Sequence, residues 1–258
     1  MRGSLKSPPV SDSATTPSRD AGSEEPAIPD AEIHLHPTAP LAERVLLPGD
    51  PGRALALAQS LLVKPLMFNH NRGLWGYTGE AHDGRPLTIQ ATGMGGPSAA
   101  IVLSELIALG ARRAIRVGTC GALDPALGLG ELLLAREAIC ADGTSRALGG
   151  DERVPADHDL HEALARSAPD AARGAVVSVD LFYERDGTPR ADAHEDALAV
   201  EMEAAALFAL GVAAGVPVAC VLTVSDTFGA DGARTRIDSE QLRVAAERMG
   251  ALALTALG

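Results

Sequence analysis

Residues Ala204–Val224, AAALFALGVAAGVPVACVLTV, carry no charge at all. The stretch is long enough to imitate a membrane span, so the way it divides decides the class of fold. Gly211, Gly215 and Pro217 interrupt it, and the pattern changes at the interruption. We read a buried helix to about Ala214, a turn at Gly215-Val216-Pro217, and a buried strand from Val218. A helix without a polar face needs protein on every side, and a strand without alternation needs cover on both faces. This segment therefore belongs in the middle of an α/β protein.

The same grammar runs outward from it. Apolar runs of strand length occur at 44–48, 87–92, 114–118, 132–139, 175–179 and 218–224. Helical stretches are expected at about 51–63, 97–109, 158–167, 203–214 and 239–257, the last with Asp238 as its cap. Strands that each lead into a helix imply an α/β single domain: a central mixed, mostly buried β-sheet flanked by helices. Residues 31–258 show no composition break and form that domain. Residues 1–30 are rich in Ser, Pro, Asp and Glu and are expected to be a disordered tail.

Composition narrows the functions. With Lys+Arg 22 against Asp+Glu 34, the net charge of −12 opposes nucleic acid and anionic lipid as main partners. An anion bound here needs a local cluster of arginines. Cys120, Cys140 and Cys220 are odd in number and form no CxxC or Cys/His pattern, which points to a reducing, cytoplasmic setting and no metal.

Five strand–helix junctions carry polar groups where ligands of such folds bind. Gly49-Asp50-Pro51-Gly52-Arg53 pairs a cap and a helix-opening proline with an arginine in the first turn, either solvated or holding an anion. Gly93-Met94-Gly95-Gly96-Pro97-Ser98 is a glycine-rich turn that lacks the full dinucleotide pattern, which argues against an NAD enzyme. Arg116 ends an apolar strand in Arg116-Val117-Gly118-Thr119-Cys120-Gly121, where it must pair with a structural carboxylate or bind an anion. Glu201 and Glu203 flank Met202 after Val200, as a structural ion pair or as acceptors for sugar hydroxyls. Ser225-Asp226 closes an apolar strand. Asp226 is a cap, or an acid whose pKa burial raises so that it stays partly protonated near neutrality.

Taken in order, Gly49-Asp50-Pro51-x-Arg53, Arg72-Gly73, Gly93-Met94-Gly95, Arg116-Val117-Gly118-Thr119-x-Gly121, Asp180-Leu181-Phe182-Tyr183, Val200-Glu201-Met202-Glu203-Ala204 and Ser225-Asp226 resemble the nucleoside phosphorylase family of bacterial hexameric purine and uridine enzymes. The resemblance runs from about Ile33 to the C-terminus. It implies an enzyme, a pentosyltransferase, that cleaves purine (deoxy)ribonucleosides with phosphate, releasing the base and (deoxy)ribose 1-phosphate. It implies that Gly49, Arg53, Arg116 and Thr119 bind phosphate, joined by Arg72 from a neighbouring subunit. Ribose contacts would come from Met94, Met202, Glu203 and a neighbour's His34. Phe182, Val200 and Ser225 would border the base, and Asp226 would protonate it. No cofactor is implied beyond phosphate as co-substrate. The partners implied are nucleoside, phosphate and further copies of the chain, as a dimer unit and a hexamer.

After Phe182-Tyr183 the chain continues Glu184-Arg185-Asp186-Gly187, without the glutamine by which the uridine enzymes read uracil. That favours purines over the alternative, uridine phosphorylase. A nucleosidase would lack the arginine clamp. A non-catalytic nucleoside-binding relative is the remaining alternative. Arg234, Arg236 and Arg243 are all near enough in sequence to assist Asp226.

Overall fold

The computed structural model describes residues 33–183, 194–229 and 233–258. The expected tail and the Glu184–Gly187 segment lie outside the described residues. The elements, in order, are β1 (Arg44–Leu47), α1 (Pro51–Leu61), β2 (Leu62–Asn69), β3 (Gly76–Ala81), β4 (Pro86–Gln90), α2 (Gly96–Ala108), β5 (Arg113–Ala122) and β6 (Leu132–Ala141). They continue with α3 (Gly143–Ala147), β7 (Arg153–Pro155), α4 (His158–Ser167), β8 (Ala172–Val179), β9 (Ala197–Glu201), α5 (Ala204–Ala214), β10 (Val218–Phe228), β11 (Arg234–Arg236) and α6 (Ser239–Leu257).

The opening stretch divides as read. α5 ends at Gly215, whose φ of 64° is the left-handed cap glycine adopts readily. β10 follows and is buried through Asp226. Alternate strand residues feed opposite cores. Val218, Cys220, Leu222 and Val224 pack with α2 and α5, while Ala219 and Val221 pack with α1, α4 and α6. The sheet is thus covered on both faces, as the unbroken apolar runs require.

Its topology is mixed and partly closed. The order is β11-β10-β6-β8-β9-β5-β1-β4-β3-β2, with β7 on β6 and a further pairing of β10 with β5. Strands β5, β10, β6, β8 and β9 therefore form a ring, from which β1, β4, β3 and β2 extend as an open sheet. One edge of β5 serves both parts. It pairs with β1 as far as Arg116, opposite Leu47. From Gly121, opposite Val200, it pairs with β9. The sheet forks between these points.

Local signals set the helix starts. Asp50 accepts from Arg53 N at 2.7 Å and Pro51 opens α1. Asp238 accepts from the backbone N–H groups of Glu240 and Gln241, each at 2.9 Å.

Candidate active site

The fork in the sheet is where the sequence-marked residues meet. Arg116 sits at its base with 3 % of its surface exposed. Its Nε donates to Glu201 Oε2 at 3.0 Å, and its Nη2 donates to Glu203 Oε2. Glu203 Oε1 in turn accepts from Gly95 N at 2.5 Å. Three junctions, from β4, β5 and β9, are thereby tied into one network. The arginine is paired with structural carboxylates, as one sequence reading held, yet its third nitrogen is not. Nη1 is buried without a hydrogen-bond partner among the described residues. The other two such side-chain atoms, Gln90 Oε1 and His161 Nδ1, lie on neutral side chains elsewhere. A buried cationic N–H without a partner is costly and points to a missing acceptor.

Gly49 lies against that nitrogen. A β-carbon at Gly49 would stand 4.0 Å from Arg116 Nη1 and 3.2 Å from the Gly93 carbonyl oxygen. Arg53 shares the same field. Burial lowers its pKa, Asp50 opposes this, and Arg116 lowers it further. Arginine remains cationic all the same, so two guanidinium groups repel each other near the start of α1. Burial also pulls on Arg116, but Glu203 and Glu201 outweigh it and hold its pKa above the ordinary value. Glu201 is pushed up by burial, with Arg116 opposing and Glu203 adding to the rise. It also accepts from Glu203 N at 2.9 Å, from Ala204 N and from the Ser178 hydroxyl. Glu201 is thus the structural member of the pair. Glu203 keeps one oxygen on Gly95 and one on Arg116.

Gly118 permits this arrangement. A β-carbon there would fall 2.7 Å from Arg116 Cζ and 2.9 Å from Leu222 Cδ2. Gly118→Ala should still fold, at an overpacking cost of about 1–3 kcal/mol, while displacing the guanidinium. Titration with inorganic phosphate as the probe anion checks this: its affinity should fall by about tenfold, as for a lost charge-assisted hydrogen bond.

The other side of the fork is built by β9, β10 and β11. Asp226 is 4 % exposed. It accepts from Ser225 Oγ at 2.6 Å and from Arg234 Nε at 2.7 Å, with Arg236 Nη1 3.7 Å away. These contacts correct the expectation of a partly protonated aspartate. Burial does push its pKa up, but hydrogen bonds from Arg234 and Ser225 outweigh burial and hold the carboxyl below its ordinary value. Of the three candidate arginines, Arg234 makes the close contact. Arg243 instead pairs with Glu240 and Glu247.

Arg234 also lies over the Phe182 ring, 4.5 Å from its centroid. Phe182 is half exposed and meets Tyr183 edge to face at 5.1 Å. Val200 and Phe228 both approach Gly121, so Phe228 joins the border of this region. Sequence reasoning missed Phe228 and left Arg234 undecided. Arg234 reaches Asp226 because Arg234–Arg236 pairs antiparallel with the end of β10, a pairing with no clear signal in the sequence.

Of the remaining residues, two sit at the fork and the others lie on the surface. Thr119 is half-buried on β5 inside the fork and Met202 half-buried beside Glu203, while Met94 is 86 % exposed on the glycine turn. Arg72 does not join Arg53 and Arg116 within one chain. It lies exposed in a short 3-10 turn (Asn71–Gly73) at φ 57°, and its side chain makes no hydrogen bond or ion pair among the described residues. His34 is stitched to that same turn: its carbonyl accepts from Asn71 Nδ2 at 2.9 Å. His34 and the Arg72 turn are thus joined to each other. Cys120, buried close to the network, presents no ready thiolate. Burial, and after it Glu201, drive its pKa well up.

Two surface depressions, of about 280 and 330 Å³, lie away from this network, one beside Phe208 and Pro217 and the other beside Asp124 and His194. Neither gathers convergent cationic groups, so we place the site at the fork. Among the described residues no three His, Cys, Asp or Glu side chains gather to hold a metal ion, and no helix is long and apolar enough to cross a membrane.

Residues 43–258 match the family described as the phosphorylase superfamily. The chain belongs to this superfamily. Among curated relatives, a DeoD-type purine nucleoside phosphorylase of Geobacillus kaustophilus is 38 % identical over 196 residues, 73 % of this chain and 83 % of that protein. The protein of the same name from Alkaliphilus metalliredigens is 37 % identical, covering 76 % and 87 %. That of Clostridium beijerinckii is 35 % identical, covering 81 % and 92 %. Superfamily membership accounts for the forked mixed sheet and for the order of the motifs along it.

Proposed function

We propose that this protein cleaves purine (deoxy)ribonucleosides by phosphorolysis, yielding the free base and (deoxy)ribose 1-phosphate. The observation that carries the reading is the buried, partnerless Nη1 of Arg116 beside Gly49, with Arg53 in the same field. A phosphate oxygen supplies the missing acceptor, and its charge relieves the repulsion between the two arginines. The kinship with proteins named purine nucleoside phosphorylase supports the same chemistry.

In the reaction a phosphate oxygen bonds to the anomeric carbon as the glycosidic C–N bond breaks, and the bonding pair leaves with the base. Positive charge develops on the sugar next to the bound dianion. Glu203 and Met202 contact the sugar, with Met94 and Thr119 bordering sugar and phosphate. Phe182, Val200 and Ser225 border the base, and Asp226 gives a proton to its imidazole-ring nitrogen. Positioning and electrostatics carry most of the acceleration.

Asp226 is held below the ordinary carboxyl pKa in the free protein, so in this reading it takes up a proton from solvent as the nucleoside binds and passes that proton to the base. Arg234 sets that balance. Removing it in Arg234→Gln raises the Asp226 pKa, so the alkaline limb of kcat/KM for inosine should move to higher pH. A pH–rate profile that does not move, or moves downward, removes Arg234 from this role.

Arg72 and His34 act, in this reading, on the site of a second copy of the chain, which makes the working unit at least a dimer; the family resemblance extends it to a hexamer. Three buried free thiols fit a cytoplasmic setting. The functional test is base release from adenosine, inosine and uridine with and without phosphate. Release from the purine nucleosides that requires phosphate is expected. Activity confined to uridine, or release without phosphate, overturns the proposal.

A further inference from the structure

One buried carboxylate holds the start of the domain in place. Glu105 lies on the inner side of α2 and is 3 % exposed. Its Oε2 accepts from Leu35 N at 2.7 Å. Both of its oxygens face His34 N, at 3.1 and 3.0 Å. Its Oε1 stands 2.6 Å from His34 Nδ1. The other side of the segment is tied to the Arg72 turn through the His34 carbonyl on Asn71 and His36 N on Asn69 Oδ1 at 2.9 Å. Leu35 is fully buried between the two histidines.

A carboxylate at an inward helix position is costly unless N–H groups surround it. Here burial would raise the Glu105 pKa, but the hydrogen bonds from Leu35 and His34 prevail and keep it low. An ionised carboxylate only accepts hydrogen bonds, so Nδ1 is the nitrogen that carries the proton. That leaves Nε2 as the one ring nitrogen free for another partner, on a side chain 26 % exposed. The arrangement repeats the logic by which a carboxylate fixes the tautomer and angle of a working histidine.

We propose that Glu105 is a positioning residue: it acts through His34, fixing the imidazole with Nε2 outward to meet a sugar hydroxyl. The proposal rests on the sugar-binding role of His34 given above. Glu105 touches no substrate itself, and an apolar side chain would fill its place on α2 as well. What an apolar residue lacks is the grip on two successive backbone N–H groups and one ring nitrogen.

The test combines Glu105→Gln, His34→Ala and the double variant. Glu105→Gln should raise the nucleoside KM about tenfold, as expected for a lost charge-assisted hydrogen bond, with the phosphate KM unchanged. In the His34→Ala background the same substitution should add nothing further. A nucleoside KM within twofold of the parent, or an effect that adds in full on His34→Ala, overturns the proposal, since a purely structural carboxylate would act independently of the ring. Nitrogen NMR of the histidine-labelled parent protein reads the clamp without turnover. His34 should show a single form protonated at Nδ1, and a mixture of tautomers overturns the positioning even if Glu105→Gln fails to fold. A parent protein that releases no base overturns the functional reading and the sugar role with it, and the NMR result still reports on the clamp separately.

Discussion

Asp226→Asn lowers kcat for inosine or adenosine phosphorolysis by about 10²–10⁴-fold, the usual range for loss of a general acid. Asparagine keeps the shape and a hydrogen bond to the base, so the KM values for nucleoside and phosphate should change little. A purine nucleoside methylated at the imidazole-ring nitrogen already carries the positive charge that protonation would supply. Its turnover should be spared in the same variant. Parallel kcat measurements on the two substrates check this, and an equal loss on both removes Asp226 from the role of acid. Stability follows the opposite sense to activity. A carboxyl whose folded pKa lies below its unfolded value contributes stability above the unfolded pKa, and that contribution is lost as pH falls through the folded one. Asp226 is such a group, since Arg234 and Ser225 outweigh burial. The parent should therefore lose stability in acid more steeply than the asparagine variant.

Arg116→Gln should remove phosphate binding and much of the stability together. Glu201 and Glu203 would remain buried without their counter-charge, and breaking a buried pair from one side costs about 3–5 kcal/mol. For a chain of this size that is a fall in Tm on the order of 10 °C. Thermal melts and phosphate titration, run beside Arg53→Gln, separate the two effects. Arg53 neutralises no buried glutamate pair, so its variant should weaken phosphate binding with little change in Tm. If Arg116→Gln melts like the parent, the network at the fork is not the structural joint its geometry implies.

These two residues also show where sequence reading stops. Both were legible as polar groups ending apolar strands, and that is enough to mark a site. Their partners were not legible. Arg116 meets Glu201 and Glu203 because β9 returns antiparallel against the end of β5, at Gly121 and Ala122. Asp226 meets Arg234 because β11 folds back on β10. Neither short strand stands out in sequence, since Ala197–Glu201 and Arg234–Arg236 have weak periodicity and gain their conformation from pairing. β2 and β3 were missed for the same reason. The direction of the Asp226 pKa went wrong with them: burial could be anticipated from the run before it, but an arginine eight residues on could not be placed beside it.

The sequence alone determined what depends on near neighbours. It set the helix starts at Asp50-Pro51 and Asp238, the break at Gly215, the strands buried on both faces, and the order of polar groups at strand ends. Tertiary structure alone decided what depends on closure. It set the ring of five strands, the fork that leaves Arg116 Nη1 facing Gly49, the link between His34 and the Arg72 turn, and the grip of Glu105 on His34. Local preferences act over a few residues, whereas a charge buried in the fork is governed by groups 85 and 87 residues away in the chain.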